Sequence, residues 1–164
     1  MAKMSDLLKY LNLTGVQYQV ISHVPAFSAH SVALAARVPD QELAKTILIR
    51  ADEQYWMAVL RADCHLNQKS LKHALEAKHV SLATEEELEV FFPDCEVGAM
   101  PPFGKLYALP VVVDKALAED TELVFNACTH SESVKMKFAD YQRLVRPIIA
   151  EIAERVRSTE ESIP

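Results

Sequence analysis

At 164 residues the chain is long enough for one domain with a substantial core, because folding at this size buries roughly 70% of the surface that the unfolded chain exposes. No apolar run approaches the ~20 residues of a membrane-crossing helix, and a formal net charge of −6 argues against a broad nucleic-acid-gripping surface, which needs many cationic contacts. Cys64, Cys95 and Cys128 are odd in number and lack a paired short spacing, so reduced thiols are expected, and neither a disulfide framework nor a zinc ribbon.

The start, MAKMSDLLKYLNL, alternates polar and apolar residues at helical spacing instead of forming the apolar block of a signal peptide, so a cytoplasmic protein with no membrane partner is expected. Leu7, Leu8 and Leu11 share a face with Met4, which predicts a helix over 4–13 that ends before Gly15. YQVIS, 18–22, follows as a strand. Beyond the loop at His23 and Pro25, Ser28 or Ser31 caps a helix through Val32, Leu34 and Ala35 that stops near Pro39, and 40–44 add a helical turn. KTILIR, 45–50, and YWMAVL, 55–60, flank the short polar ADEQ, which predicts a hairpin with cover on both faces. A helix over 69–77, a short strand at 79–83 and a helix capped by Thr84, with Glu87 three residues on, complete the middle.

LPVVVD, 109–114, and ELVFN, 122–126, read as buried strands separated by the acidic LAEDT. In SVKMKF, 133–138, Val134, Met136 and Phe138 alternate with Ser133, Lys135 and Lys137, the period of a strand with one wet face. A helix from Ala139 towards Val156, kinked or divided at Pro147, closes the pattern, and 158–164 reads as a disordered tail. The sum is a single α+β domain over 1–157 with a mixed or antiparallel sheet, because its strand pairs are too close in sequence for helical crossovers.

Two of the three glycines and two of the eight prolines fall in GAMPPFG, 98–104. Pro101 and Pro102 fix φ and remove two donors, while Gly98 and Gly104 permit conformations and close approaches closed to other residues. Such a stiff loop serves as a sharp connection or as a wall against which a ligand meets main chain. Lys45 opens an apolar strand, where its head either snorkels to solvent or acts as a fixed cation for a phosphate or a polarised carbonyl. NACTHSES, 126–133, follows a buried strand and is either an ordinary polar turn or a site held on a rigid strand end. Cys128 and His130, two apart, raise thiol catalysis or a metal, but a nucleophilic pair needs an orienting third group and zinc needs further ligands. DCH, 63–65, raises the metal question with the same answer. His23 and His30 read as loop and capping residues and Trp56 as core; no nucleotide-binding loop, HExxH or nucleophile elbow is present.

HVPAFSAH, ELAKTILI, DCEVGAMPPFG with LPVVVD, and VFNACTH, in this order and at these separations, resemble the YbaK/ProX family of aminoacyl-tRNA deacylases over residues 4–147. The resemblance implies a mixed, partly closed β-sheet surrounded by helices, related to the editing domain of bacterial prolyl-tRNA synthetase. It implies metal-independent, cofactor-free hydrolysis of the ester joining a wrong amino acid to the tRNA 3′ end. A second site is needed because a methylene difference discriminates by only ~1–3 kcal/mol. The implied partners are the acceptor end of mischarged aminoacyl-tRNA and an aminoacyl-tRNA synthetase. Lys45 matches the family's essential lysine. The loop of Gly98, Ala99, Met100, Pro101, Phe103 and Gly104 matches one pocket wall, with the amides of 98–100 facing substrate. Asn126, Ala127, Cys128, Thr129 and His130 match the opposite wall. Close members read N-A-G-T-H there, so Cys128 replaces a glycine and bears on specificity. The competing readings are a noncatalytic aminoacyl- or nucleotide-binding module and a Cys128/His130 thiol hydrolase.

Overall fold

The computed structural model describes residues 4–155; the tail expected to be disordered at 158–164 lies outside them. Helix α1 (Met4–Thr14) buries Leu7 and Leu11 completely and leads to strand β1 (Tyr18–Ser22). Of the two candidate caps, Ser28 begins α2 (Ala29–Ala36), its hydroxyl accepting from the Ser31 amide at 3.0 Å. A 3-10 turn at Asp40–Glu42 precedes β2 (Ala44–Ala51), which pairs antiparallel with β3 (Gln54–Arg61) from Ala44↔Arg61 to Ala51↔Gln54. Next come β4 (Cys64–Leu66), α3 (Gln68–Leu75) capped by Asn67, and β5 (Val80–Leu82). Helix α4 (Glu85–Phe91) has the expected reciprocal capping box between Thr84 and Glu87. The second half carries β6 (Val111–Asp114), β7 (Glu122–Asn126), β8 (Glu132–Lys137), α5 (Phe138–Val145), β9 (Ile148–Ala150) and β10 (Ala153–Arg155).

The strands form a five-stranded sheet in the order β5-β2-β3-β6-β9, a three-stranded sheet β1-β8-β7, and the pair β10-β4. The fold class is as expected, an α+β domain with mixed sheet. β6 lies parallel to both β3 and β9, while β2 is antiparallel to β3 and β5. An isolated parallel bridge, Leu43↔Val124, joins the lead-in of β2 to β7 and so ties the two larger sheets together.

The hairpin is covered on both faces. Ala44, Leu48, Met57 and Val59 join the main cluster with Phe103, Phe125 and Val134, while Ile49 and Ala58 join Leu71 of α3 on the reverse. Leu43 and Val124 contribute to a third cluster with Val32 and Ala33 of α2.

The closing helix is shorter than its sequence pattern. It stops at Val145, Arg146 turns left-handed at φ 53°, and residues 148–150 and 153–155 are strands. Pro147 has no N–H to continue the helix, and Ile148 and Ile149 pair with Val112 and Val113. The second face of β8 is also less wet than its alternation suggests, since Ser133 is fully buried.

Candidate active site

The Gly98 loop is docked on the 126–130 wall by main chain. The Cys128 amide donates to Ala99 O at 2.8 Å and the Glu96 amide to Cys128 O at 2.9 Å. Glu96 returns through its carboxylate, which accepts from the His130 amide at 2.9 Å. The His130 ring closes the contact, with Nε2 2.9 Å from Val97 O. A carbonyl only accepts, so in the neutral ring Nε2 holds the proton and Nδ1 is left an acceptor, buried with no partner among the described residues. The 23–27 segment backs the wall: the Ala26 amide donates to His130 O at 2.9 Å, and the Phe27 and His130 rings lie 4.8 Å apart.

Two residues at this contact need left-handed backbone. Gly98 has φ +86°, and a side chain there would find open room, its Cβ no closer than 3.9 Å to His130 Cε1, so the requirement is conformational. Cys128 has φ +72°. For a residue with a Cβ this region costs roughly 1–2 kcal/mol. Its side chain turns towards Cys95 and Tyr107, and the two cysteines form a disulfide with Cα atoms 4.3 Å apart. This overturns the expectation that all three thiols are reduced; Cys64 alone among them is free, and buried. A separation of 33 residues carries no pairing signal in sequence, because only the tertiary fold brings the loop to the wall.

The loop's amides are not equally available. The Ala99 N–H, expected to face substrate, instead donates to Glu96 O at 2.9 Å. Those of Gly98 and Met100 find no acceptor among the described residues. The later part of the loop belongs to the core rather than to a ligand-facing wall. Phe103 is 1% exposed and stacks edge-on against Phe125 and Tyr141. Gly104 approaches the Leu109 carbonyl so closely that no Cβ fits. Pro101 is buried, and Ala127 is fully buried in the main cluster. The Tyr141 hydroxyl donates to Pro102 O at 2.7 Å, fixing the loop from beneath. A cleft of about 450 Å³ on the α4 side is lined by Leu88, Phe92, Cys95, Glu96, Gly98 and Met100.

Strand alternation sets the face that Lys45 takes. Ala44 and Leu48 face the main core, so Lys45 shares the opposite face with Leu43, on the side that α2 covers. On β7, Leu123 and Phe125 face the core and Val124 faces α2, which places Asn126 on the same face as Lys45. Behind Asn126 stands Ser133, its register partner, with Oγ 3.5 Å from Asn126 Oδ1 and 3.0 Å from His23 Nε2. Thr129 is turned to Glu132, donating to its carboxylate at 3.1 Å.

Burial pulls the half-buried Lys45 ammonium below the ordinary 10.5, opposed by Cys64 and Asp63. Burial also pushes the Cys64 thiol up to about 11, so it is neutral at pH 7 and Asp63 supplies the opposing charge. Arg61 clasps Asp63 at 2.8 and 2.6 Å, and that contact overcomes the effect of burial to hold Asp63 below the usual carboxylate range. Glu96, Ser133, Asp63 and Cys95 are thus parts of the site that sequence reasoning missed. All four nonetheless lay in stretches already singled out: Asp63 in DCH, Cys95 and Glu96 in DCEVGAMPPFG, and Ser133 in NACTHSES. Among the described residues no group of three or more His, Cys, Asp or Glu side chains converges to hold a metal ion, and no helix is long and apolar enough to cross a membrane.

The model of the aminoacyl-tRNA editing domain matches residues 23–144, the span that holds Lys45, the Gly98 loop and the wall. The chain belongs to this family. Its activity is the family's, deacylation of aminoacyl-tRNA by hydrolysis of the ester. The multifunctional Ser/Thr-tRNA deacylase ProXp-y of Escherichia coli K12 is 28% identical over 146 residues, 86% of this chain and 87% of that one. The proline–tRNA ligase of Halalkalibacterium halodurans is 31% identical over 121 residues, 73% of this chain, which spans only 20% of the ligase. Among solved structures, a candidate trans-editing enzyme for prolyl tRNA synthetase superposes with a TM-score of 0.78 at 15% identity, covering 94% of this chain and 99% of that one. Hypothetical protein APE2540 superposes at 0.82 with 18% identity, over 90% and 99%. These likenesses carry the fold.

Proposed function

We propose that the editing domain hydrolyses a small, hydroxyl-bearing amino acid from the acceptor end of tRNA, in trans, where the Gly98 loop meets the 126–130 wall. Lys45 is the fixed cation, holding the terminal phosphate or polarising the ester carbonyl. The unpaired amides of Gly98 and Met100 are the donors for the developing oxyanion, a role in which preorganised groups outperform solvent. Water attacks the carbonyl carbon, the ester bond breaks, and the ribose oxygen leaves with a proton. No side-chain nucleophile or metal takes part.

The observation that carries this reading is the docking of the loop on the wall, which leaves the amides of Gly98 and Met100 without an acceptor among the described residues. The choice of a hydroxyl-bearing amino acid rests on the ProXp-y relative, which is named for Ser and Thr. The similarity to proline–tRNA ligases supports a synthetase as a working partner. With a net charge of −6, binding is confined to the acceptor end.

The test is a panel of tRNAs charged with Ser, Thr, Ala, Cys and Pro, incubated with purified protein. Release of Ser or Thr ahead of the others supports the proposal. Inertness across the panel would leave the noncatalytic binding module as the reading.

A further inference from the structure

The geometry points to the Cys95–Cys128 disulfide as a thiol–disulfide exchange site that locks the Gly98 loop to the opposite wall and sets the deacylation rate. This rests on the site assignment above. Cys128 stands in the left-handed region that favours glycine, and the bond to Cys95 holds it there from the other side of the contact. Opening the bond leaves an ordinary L-residue at φ +72°, free to relax to negative φ. Its amide donates to Ala99 O and its carbonyl accepts from the Glu96 amide, so relaxation acts on the loop that presents Gly98 and Met100.

The two sulfurs differ in access. Cys128 is 2% exposed, whereas Cys95 lines the 450 Å³ cleft, so an incoming thiolate meets the Cys95 sulfur. The co-substrate class is a low-molecular-weight thiol. Its thiolate bonds to Cys95 Sγ as the Cys95–Cys128 bond breaks, and Cys128 leaves as thiolate. A second thiol molecule then attacks the mixed disulfide, releasing Cys95 as thiolate and the oxidised co-substrate, and both cysteines take protons from water. The disulfide is reduced and two thiols are oxidised, and the reverse runs with a low-molecular-weight disulfide. The disulfide sulfurs carry no hydrogen, so the Tyr107 hydroxyl, 3.4 Å from Cys95 Sγ and 3.8 Å from Cys128 Sγ, is the donor available to either, and it stabilises the leaving thiolate. Burial raises the Tyr107 pKa, keeping that proton in place.

The test poises purified protein with reduced or oxidised glutathione and follows three quantities. Counting thiols after denaturation is expected to give three in the reduced form and one, Cys64, in the oxidised form. Amide hydrogen exchange over 96–100 is expected to speed up on reduction, and deacylation to slow by at least ~10-fold and recover on reoxidation, since a small displacement of reacting groups has effects of this size. Cys95→Ser and Cys128→Gly should both lose the response. They should differ in level, with the glycine variant the faster, because glycine holds the left-handed backbone unaided. Three free thiols under oxidised glutathione, or equal exchange over 96–100 in both forms, would overturn the lock. If no tRNA is deacylated by either form, the site assignment fails, and the exchange measurement still decides the lock.

Discussion

Lys45 and Asn126 stand on one face of the molecule although they belong to different sheets. The Leu43↔Val124 bridge aligns the lead-in of β2 with β7 in parallel, and both residues lie two positions beyond it, on the side that packs on α2. After the bridge the strands part into separate sheets, so the cation and the amide flank the place where the two sheets separate.

Removing that cation should abolish most activity and little stability. Lys45→Ala is expected to reduce deacylation by at least ~10²-fold, the scale for losing one preorganised electrostatic stabiliser. The thermal midpoint should hold, because a half-buried lysine at a strand end contributes little to the core. A variant retaining most of the wild-type rate on a mischarged tRNA would remove Lys45 from the mechanism.

The pH profile should report the same ammonium. Its pKa is held below 10.5, first by burial, so the enzymatic rate should fall on the alkaline side with an apparent pKa below 10.5. The sign follows from burial favouring the neutral amine. The measurement is kcat/KM against pH after subtraction of the uncatalysed ester hydrolysis, and an alkaline limb that keeps rising past 10.5 contradicts the assignment.

Gly98→Ala tests the backbone requirement apart from space. Room exists for the methyl group, but φ +86° makes it roughly 1–2 kcal/mol unfavourable. A lower thermal midpoint together with a lower kcat is expected, as the loop shifts to relieve the strain. An unchanged midpoint would mean that the loop relaxes freely.

Tyr141→Phe removes the support beneath the loop. The hydroxyl is buried and donates to Pro102 O at 2.7 Å, so its loss strands a buried carbonyl, at about 1–3 kcal/mol by chemical denaturation. The phenyl ring still fills its place against Phe103, so the fold should survive. Full wild-type stability would show that the carbonyl finds another donor.

Chelation should leave deacylation intact, because among the described residues no set of ligands converges. Loss of activity in EDTA with recovery on added zinc is the contrary result.

Local chemistry was legible in the chain itself. Thr84 and Glu87 state a helix start three residues apart, the apolar runs KTILIR and YWMAVL around the polar ADEQ state a hairpin, and ELAKTILI, DCEVGAMPPFG and VFNACTH in their order resemble a family. Each of these depends on neighbours within a few residues or on the order of segments along the chain. The structure decided what depends on long-range contact. Residues 148–150 carry a helical pattern yet become a strand, because Pro147 ends the helix and β6 offers an unpaired edge. Ala99 spends its amide within its own loop, and Phe103, Gly104 and Ala127 are drawn into the core. Cys95 and Cys128, 33 residues apart, meet because the loop folds back on the wall. Loop closure over such distances is set by the packing of whole elements, and hydrophobic period and residue spacing carry no record of it.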